Sequence, residues 1–407
     1  MNCRHCNTAL EHVFIDLGCA PPSNAYLTAA DLSAPELYFP LKLFVCSRCW
    51  LVQTEDYAGA KELFRNDYAY FSSVSQTWLD HAARYASMIS RKLQLDSKSF
   101  VIEIASNDGY LLRNFVTAGI PCMGIEPTAS TAAAAEKLGI SVLREFFGRE
   151  IGERLSAEGK QADLIIGNNV FAHVPEVNDF TEGLKAVLKP GGVITLEFPH
   201  LMRLIEHTQF DTAYHEHFSY LSLYTLSRIF SQAGLRTWDV EELPTHGGSL
   251  RVYGCHADDP RKETSAVINL LKEEEQRGMR QLSAYQHFQD KADGIKNDLL
   301  AFLIEQKRSG RKIAGYGAAA KGNTLLNYAG VRPDLLPYVC DAAPSKQGKY
   351  LPGSHIPIVP PDTLKKLRPD FVLILPWNIT AEVTTQHRYI QDWGGKFAVA
   401  VPTMNIF

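Results

Sequence analysis

The chain has 407 residues, 45% of them hydrophobic and 21% charged, with 41 basic and 45 acidic side chains giving a net charge of −4. That length exceeds one hydrophobic core and that composition is not a disordered one, so two or three soluble globular domains are expected. The balance of charge excludes a general nucleic-acid binder or polybasic membrane binder, and no apolar run approaches the roughly 20 residues that span a bilayer.

The N-terminus, Met-Asn-Cys-Arg-His-Cys, has no secretory pattern, and a cytoplasmic protein is expected. Of eight cysteines, four form two Cys-x-x-C pairs, Cys3 with Cys6 and Cys46 with Cys49. Each such turn presents two thiolates to one side, which suits a tetrahedral zinc ion. A pair of disulfides or two redox motifs are the alternatives, the former weakened by the lack of a secretory signal. Four cysteines leave no open coordination position, so the expected zinc is structural. The run over residues 41–45 is strand-like, as in a zinc ribbon, and the first domain is placed at 1–68.

A polar and aromatic stretch containing Tyr68 and Tyr70 follows, then helical spacing over 78–93. From residue 100 strands (100–104, 122–126, 163–167, 193–198) alternate with helices (111–118, 129–138, 180–188), which predicts a parallel α/β sheet. A helix over 223–234 and strands over 237–242 and 248–255 close this second domain, 69–256. The charged stretch 258–296 reads as one long helix or a helical pair. A second α/β unit then begins at 312–316, turns through Gly317-Ala318-Ala319-Ala320-Lys321-Gly322-Asn323 and has further strands at 338–341 and 371–375. The third domain is placed at 257–407.

The loop Ala105-Ser106-Asn107-Asp108-Gly109 after the first strand lets backbone approach a ligand at the sheet edge. It lacks the three glycines of a dinucleotide fingerprint. Glu126 ends the next strand, where an acid can accept both hydroxyls of a ribose. Asn169 follows the strand at 163–167, and Lys189-Pro190-Gly191-Gly192 precedes the strand at 193–198. This ordered set resembles the S-adenosylmethionine-dependent methyltransferases. The resemblance implies Glu126 on the ribose and Glu103, Asn107, Gly109 and Asn169 around the cofactor. Ala105-Ser106-Asn107 stands where that class more often has glycines.

Tyr214-His215-Glu216-His217 concentrates proton-transfer groups just beyond the sheet edge. A neutral histidine suits proton abstraction, and a tyrosine can donate toward an oxyanion. His-Glu-His lacks the i, i+4 histidine pair of metalloproteases, and buried structural hydrogen bonding is the bland alternative. In the third domain, backbone N–H groups at a helix start and Lys321 favour phosphate; a dinucleotide site and a purely structural lobe are the competing readings. Asn378 is another sheet-edge candidate, and His246-Gly247-Gly248-Ser249 either nears the substrate or simply turns a hairpin.

Together, the Cys-x-x-C pairs, residues 68–73, the 105–109 loop, Tyr214–His217, His246–Ser249 and 315–323 resemble the nucleotide-sugar C-methyltransferases of branched deoxysugar biosynthesis, such as those of mycarose and tetronitrose. The resemblance covers essentially the whole chain. It implies an α/β enzyme with a zinc ribbon, a Rossmann-like methyltransferase domain and a C-terminal pseudo-Rossmann domain. It implies C-3′ methylation of a dTDP-linked 4-keto deoxysugar in antibiotic biosynthesis, with S-adenosyl-L-methionine as cofactor and Zn2+ as structural ion. His217 would be the base, with Tyr214, Glu216, His173 and Tyr68 around the sugar, and Lys321, Asn323, Ser249 and Asn378 toward the remainder of the substrate. An O- or N-methyltransferase on another small molecule, or a non-catalytic zinc-ribbon nucleotide-binding protein, is the alternative. No nucleic acid or membrane partner is expected, and the oligomeric state is left open.

Overall fold

A computed structural model describes residues 1–55, 57 and 71–407; Tyr68 and Tyr70 lie outside the described residues. The strands in chain order are β1 (His12–Ala20), β2 (Phe39–Val45), β3 (Val52–Thr54), β4 (Val101–Ile104), β5 (Cys122–Ile125), β6 (Ser141–Leu143), β7 (Ala162–Asn168), β8 (Leu188–Pro199), β9 (Ser219–Tyr220), β10 (Leu235–Leu243) and β11 (Ser249–His256). The C-terminal part adds β12 (Ile313–Tyr316), β13 (Val339–Cys340), β14 (Ile358–Val359), β15 (Phe371–Ile374), β16 (Lys396–Val399) and β17 (Asn405–Ile406). They form three sheets, ordered β1-β2-β3-β9, β10-β11-β8-β7-β4-β5-β6 and β14-β13-β12-β15-β16-β17.

The seven-stranded sheet is parallel from β8 through β6, because helices return the chain between successive strands. β10 and β11 come as a hairpin, and β11 enters antiparallel between β10 and β8. Strand order reverses beside β4, so the crevice at its carboxyl end is the expected ligand position. Buried Val, Ile and Leu residues in β4, β7 and β8 pack on both faces, as a covered parallel sheet requires.

Local chemistry sets the helices. Ser75 caps the helix Gln76–Leu93 by accepting the Trp78 N–H, and Gln94 in the left-handed region ends it. The helix Leu223–Gln232 has two caps. Ser222 accepts the Thr225 N–H, and the buried Glu274 carboxylate takes the Leu223 and Tyr224 N–H groups while bonding His200. The charged stretch resolves into a pair of helices, Ser265–Gln276 and Phe288–Arg308, the second running beyond the expected end.

β9 comes from the methyltransferase region but pairs with β3 of the N-terminal sheet, Val52 opposite Tyr220 and Gln53 opposite Ser219. The N-terminal domain is thereby stitched to the segment that carries His217. No helix of the described residues is long and apolar enough to cross a membrane.

Candidate active site

In the N-terminal sheet, Cys3, Cys6, Cys46 and Cys49 bring their sulfurs within 4.8 Å of one another. Cys3 lies 3.4 Å from Cys49 and Cys6 lies 3.5 Å from Cys46. Four thiolates on one tetrahedral zinc ion stand roughly 3.8 Å apart, so the cluster suits that ion. Asn7 and Trp50, one residue past each turn, adopt φ 57° and 64°, which closes both knuckles. The metal ligands are therefore the four cysteines singled out from the sequence.

At the carboxyl ends of β4, β5, β7 and β8 a cavity of about 1370 Å³ opens, and residues of all three sheets' connecting loops line it. On one side lie Asn107, Glu126 and Asn169. Each Glu126 carboxylate oxygen accepts one backbone N–H, from Asn107 at 3.0 Å and from Thr128 at 2.9 Å. Those bonds fix its plane and leave further lone pairs for a ligand diol. Asn169, at φ 53°, donates its N–H to Glu197 O at 2.7 Å, while its buried Oδ1 has no hydrogen-bond partner among the described residues. A carboxylate with spare lone pairs and an orphaned amide oxygen in one crevice suit the ribose and amino-acid ends of S-adenosylmethionine.

Glu103 and Gly109 are not among the residues lining this cavity. Glu103 is buried within β4, and its burial, with Asp108 and Glu126 nearby, raises its pKa well above the ordinary value. Gly109, at φ +78°, is required by packing instead: a Cβ there would come within 2.5 Å of Ile140 Cδ1.

The opposite side holds the Tyr-His-Glu-His segment. His217 Nδ1 is 2.9 Å from Thr212 O and Nε2 is 2.7 Å from Tyr214 Oη. A carbonyl only accepts, so Nδ1 carries the hydrogen and Nε2 the lone pair that the Tyr214 hydroxyl donates to. Burial, then the neighbouring His173, lowers the His217 pKa well below its usual value, keeping the ring neutral. His173 Nδ1 donates to Glu216 O at 2.8 Å, and burial lowers its pKa to about 4. Its ring meets that of His217 edge-on at 4.6 Å. Glu216 lines the cavity and accepts from Asn24 Nδ2. His215 turns away, its Nε2 3.2 Å from Pro40 O, and anchors the segment to β2. Thr54, at the end of β3, donates its hydroxyl to His217 O at 3.3 Å.

Toward the third sheet, Lys321 and Asn378 line the cavity together, Lys321 Nζ donating to Asn378 Oδ1 at 2.7 Å. The ammonium lies 4.4 Å from the Trp377 ring centre, and burial lowers its pKa to about 8 against the opposing pull of Asp211. Asn323 and Ser249 are absent from the lining. Asn323 Nδ2 donates to Ser23 O at 3.3 Å, and Ser249 Oγ donates to Thr245 O at 2.9 Å, so both side chains tie loops. His246, by contrast, does line the cavity, at φ 55°. Asn24, Thr54 and Lys346 escaped sequence reading, because each acts through partners distant in the chain and belongs to no local motif.

A switch-point crevice with an acid on its second strand, facing a proton-transfer segment and backed by a four-cysteine zinc domain, defines an S-adenosylmethionine-dependent methyltransferase. Residues 3–64 match the putative zinc binding domain family, 77–240 the methyltransferase domain family and 244–402 the C-methyltransferase C-terminal domain family. C-methyltransferase NovU of Streptomyces niveus is 32% identical over 95% of this chain and 92% of its own. The chain belongs to this C-methyltransferase family. A ubiquinone biosynthesis O-methyltransferase of Bradyrhizobium sp. (strain ORS 278) is 28% identical over 31% of this chain and 59% of its own. Among solved structures, magnesium protoporphyrin IX methyltransferase (ChlM) from Synechocystis PCC 6803 aligns at 14% identity over 44% of this chain and 78% of that one, with a TM-score of 0.32.

Proposed function

We propose that the protein methylates C-3′ of a dTDP-linked 4-keto deoxysugar through an enolate, as a step in branched deoxysugar biosynthesis. The observation that carries this reading is the ordered chain Thr212 O, His217, Tyr214 Oη at the cavity wall. It is a neutral base whose tautomer is fixed, with a hydroxyl donor already on its lone pair. A C–H beside a ketone is such a target, since it becomes acidic only when the enolate oxygen is stabilised.

As the Tyr214 hydroxyl turns from His217 Nε2 to the C-4′ oxygen, the lone pair it leaves takes the C-3′ proton, and the C–H electron pair moves to that oxygen as the enolate. The protonated Nε2 then donates to Tyr214 Oη while the hydroxyl hydrogen stays on the enolate oxygen. One such donor is worth about 2.7–4 kcal/mol. The tautomers favour Tyr214 over His173 as that donor. Neutral His173 spends its single N–H on Glu216 O, so its Nε2 carries a lone pair and has no hydrogen to give an oxyanion. Glu216 orients the sugar beside it. Asn107, Glu126 and Asn169 hold S-adenosylmethionine, which when bound supplies the electrophilic methyl group to the C-3′ carbon. Lys321 and Asn378 receive the diphosphate.

Purified enzyme is incubated with S-adenosylmethionine and a panel of dTDP-4-keto-6-deoxysugars, 3-amino and 3-hydroxy, and product is followed by mass and NMR. A methyl group on the C-3′ carbon with the original hydrogen lost supports the reading. Methyl on oxygen or nitrogen overturns the enolate and the role of His217.

A further inference from the structure

The segment 21–26, which follows β1 in the zinc-binding domain, is anchored at the start of the helix Ala320–Tyr328 of the third sheet. Ser23 O accepts Asn323 Nδ2, Ser23 Oγ lies 3.4 Å from Thr324 Oγ1, and Tyr26 Oη donates to Ala318 O at 2.6 Å. Thr324 Oγ1 in turn donates to Ala213 O, beside Tyr214. Between these anchors Asn24 reaches the cavity, and its Nδ2 donates to both oxygens of Glu216, at 2.8 and 2.9 Å.

We propose that Asn24 is a positioning residue for proton abstraction, contributed by the zinc-binding domain to the methyltransferase site. The glutamate side chain has three rotatable bonds, and one amide donor centred on both oxygens fixes its plane. The same residue's backbone carbonyl accepts the His173 Nδ1–H, so Glu216 stands between two walls of the sugar site. An amide does this without a charge; a lysine would neutralise the carboxylate and an aspartate would repel it. The anchors on Ser23 and Tyr26 explain how a half-buried loop keeps its asparagine in register, since a site group acts only as well as its support is fixed.

The role proposed for Asn24 rests on the enolate reading, and the test separates the two. The first readout is wash-in of deuterium at C-3′ in D2O, followed by NMR with dTDP-4-keto sugar and no methyl donor, which reports deprotonation alone. Asn24→Ala is expected to slow wash-in and kcat at least tenfold, with KM for S-adenosylmethionine and zinc content unchanged. Asn24→Asp sets a second carboxyl against Glu216, so the pair shares a proton at low pH and repels once it is lost. Its kcat at saturating nucleotide sugar should fall as pH rises below about pH 8, where Lys321 keeps its proton, a limb absent from the unsubstituted enzyme in that range and one that misfolded protein cannot produce. Wash-in by Asn24→Ala within twofold of the unsubstituted enzyme, or an Asn24→Asp pH profile superimposed on it, overturns the proposal. If the unsubstituted enzyme neither exchanges C-3′ hydrogen nor methylates, the enolate reading fails instead. The positioning claim is then decided by the Glu216 carboxyl signal in 13C NMR, which must titrate higher in Asn24→Ala; an unmoved titration overturns it.

Discussion

The second and third sheets apply one device to opposite ends. In each, a first strand (β4, β12) lies between its successor (β5, β13) and a later strand (β7, β15), and an acid ends the successor. Glu126 accepts the N–H of Asn107 in the loop after β4 and of Thr128 two residues on. Asp341 accepts the N–H of Ala318 in the loop after β12 and of Ala343 two residues on. The backbone geometry is the same, yet Glu126 lines the cavity and Asp341 does not. Lys346 stands against the second acid, its Nζ 3.7 Å from Asp341 Oδ2 and bonded to Ala318 O. Gly317, at φ +86°, has its open side filled by Pro376, whose Cδ occupies the space a Cβ would need. The third sheet thus keeps a strand-loop-helix turn of the same shape whose acid is spent on its own chain, and it turns Lys321 and Asn378 to the shared cavity instead. A strand-loop-helix unit becomes a binding site only where its polar atoms are left over after the fold has used them.

The strongest way to sharpen this contrast is to remove the chemistry facing both sheets. His217→Asn should lower kcat by roughly 10²–10⁴, the usual worth of a general base, while calorimetry shows S-adenosylmethionine binding unchanged. Near-normal turnover would remove His217 from the mechanism. Next in size, Glu126→Ala should weaken cofactor binding by roughly 10–100-fold, corresponding to about 1.5–3 kcal/mol for hydrogen bonds to a charged acceptor, with little effect on KM for the sugar. If binding is untouched, the second sheet is no more a nucleotide site than the third.

Lys321→Met comes third: KM for the nucleotide sugar should rise about tenfold, from loss of one charge-assisted bond. Its pH dependence gives a sharper check. Burial depresses the Lys321 pKa to about 8, so the ammonium is present below that pH and is lost as pH rises through it. KM for an anionic substrate should therefore climb above about pH 8 in the unsubstituted enzyme and stay flat there in Lys321→Met. A KM that climbs equally in both would assign the effect to another group.

What could be foreseen from the sequence divides along the same line between local and distant chemistry. The zinc pairs, the strands β4, β5, β7 and β8 and the Tyr214–His217 pair are each carried by short local patterns visible in the chain, whereas β6 and the helix Arg149–Ala157 between β5 and β7 are not foreseen. Asn24 on Glu216 and Thr54 on His217 join residues far apart in sequence, so no periodicity reports them. β1 breaks strand alternation with irregularities between Val13 and Ile15 and between Asp16 and Cys19, and β9 is only Ser219–Tyr220. β8 begins at Leu188 rather than 193, because Gly191 at φ 78° lets the strand pass through what reads as a plain turn. Gly109 and Gly317 look like room left for a ligand, whereas Ile140 and Pro376 occupy that room. Glycine in sequence reports a close approach without saying what approaches.

The smallest expected effect is the most direct test of the contrast. Asp341→Asn keeps the shape of the side chain but replaces one acceptor oxygen with a donor. Depending on the rotamer, the NH2 group faces the N–H of Ala318 or of Ala343, and one backbone donor is left unpaired. The cost should be about 1–3 kcal/mol of stability, read as a lowered urea midpoint with an unchanged slope. Because the acid is spent on its own loop, KM for both substrates and kcat should stay within about twofold, the variation expected when no contacting group changes. A selective loss of nucleotide-sugar affinity at normal stability would mean that Asp341 reaches the ligand after all. The second and third sheets would then differ only in which nucleotide each one holds.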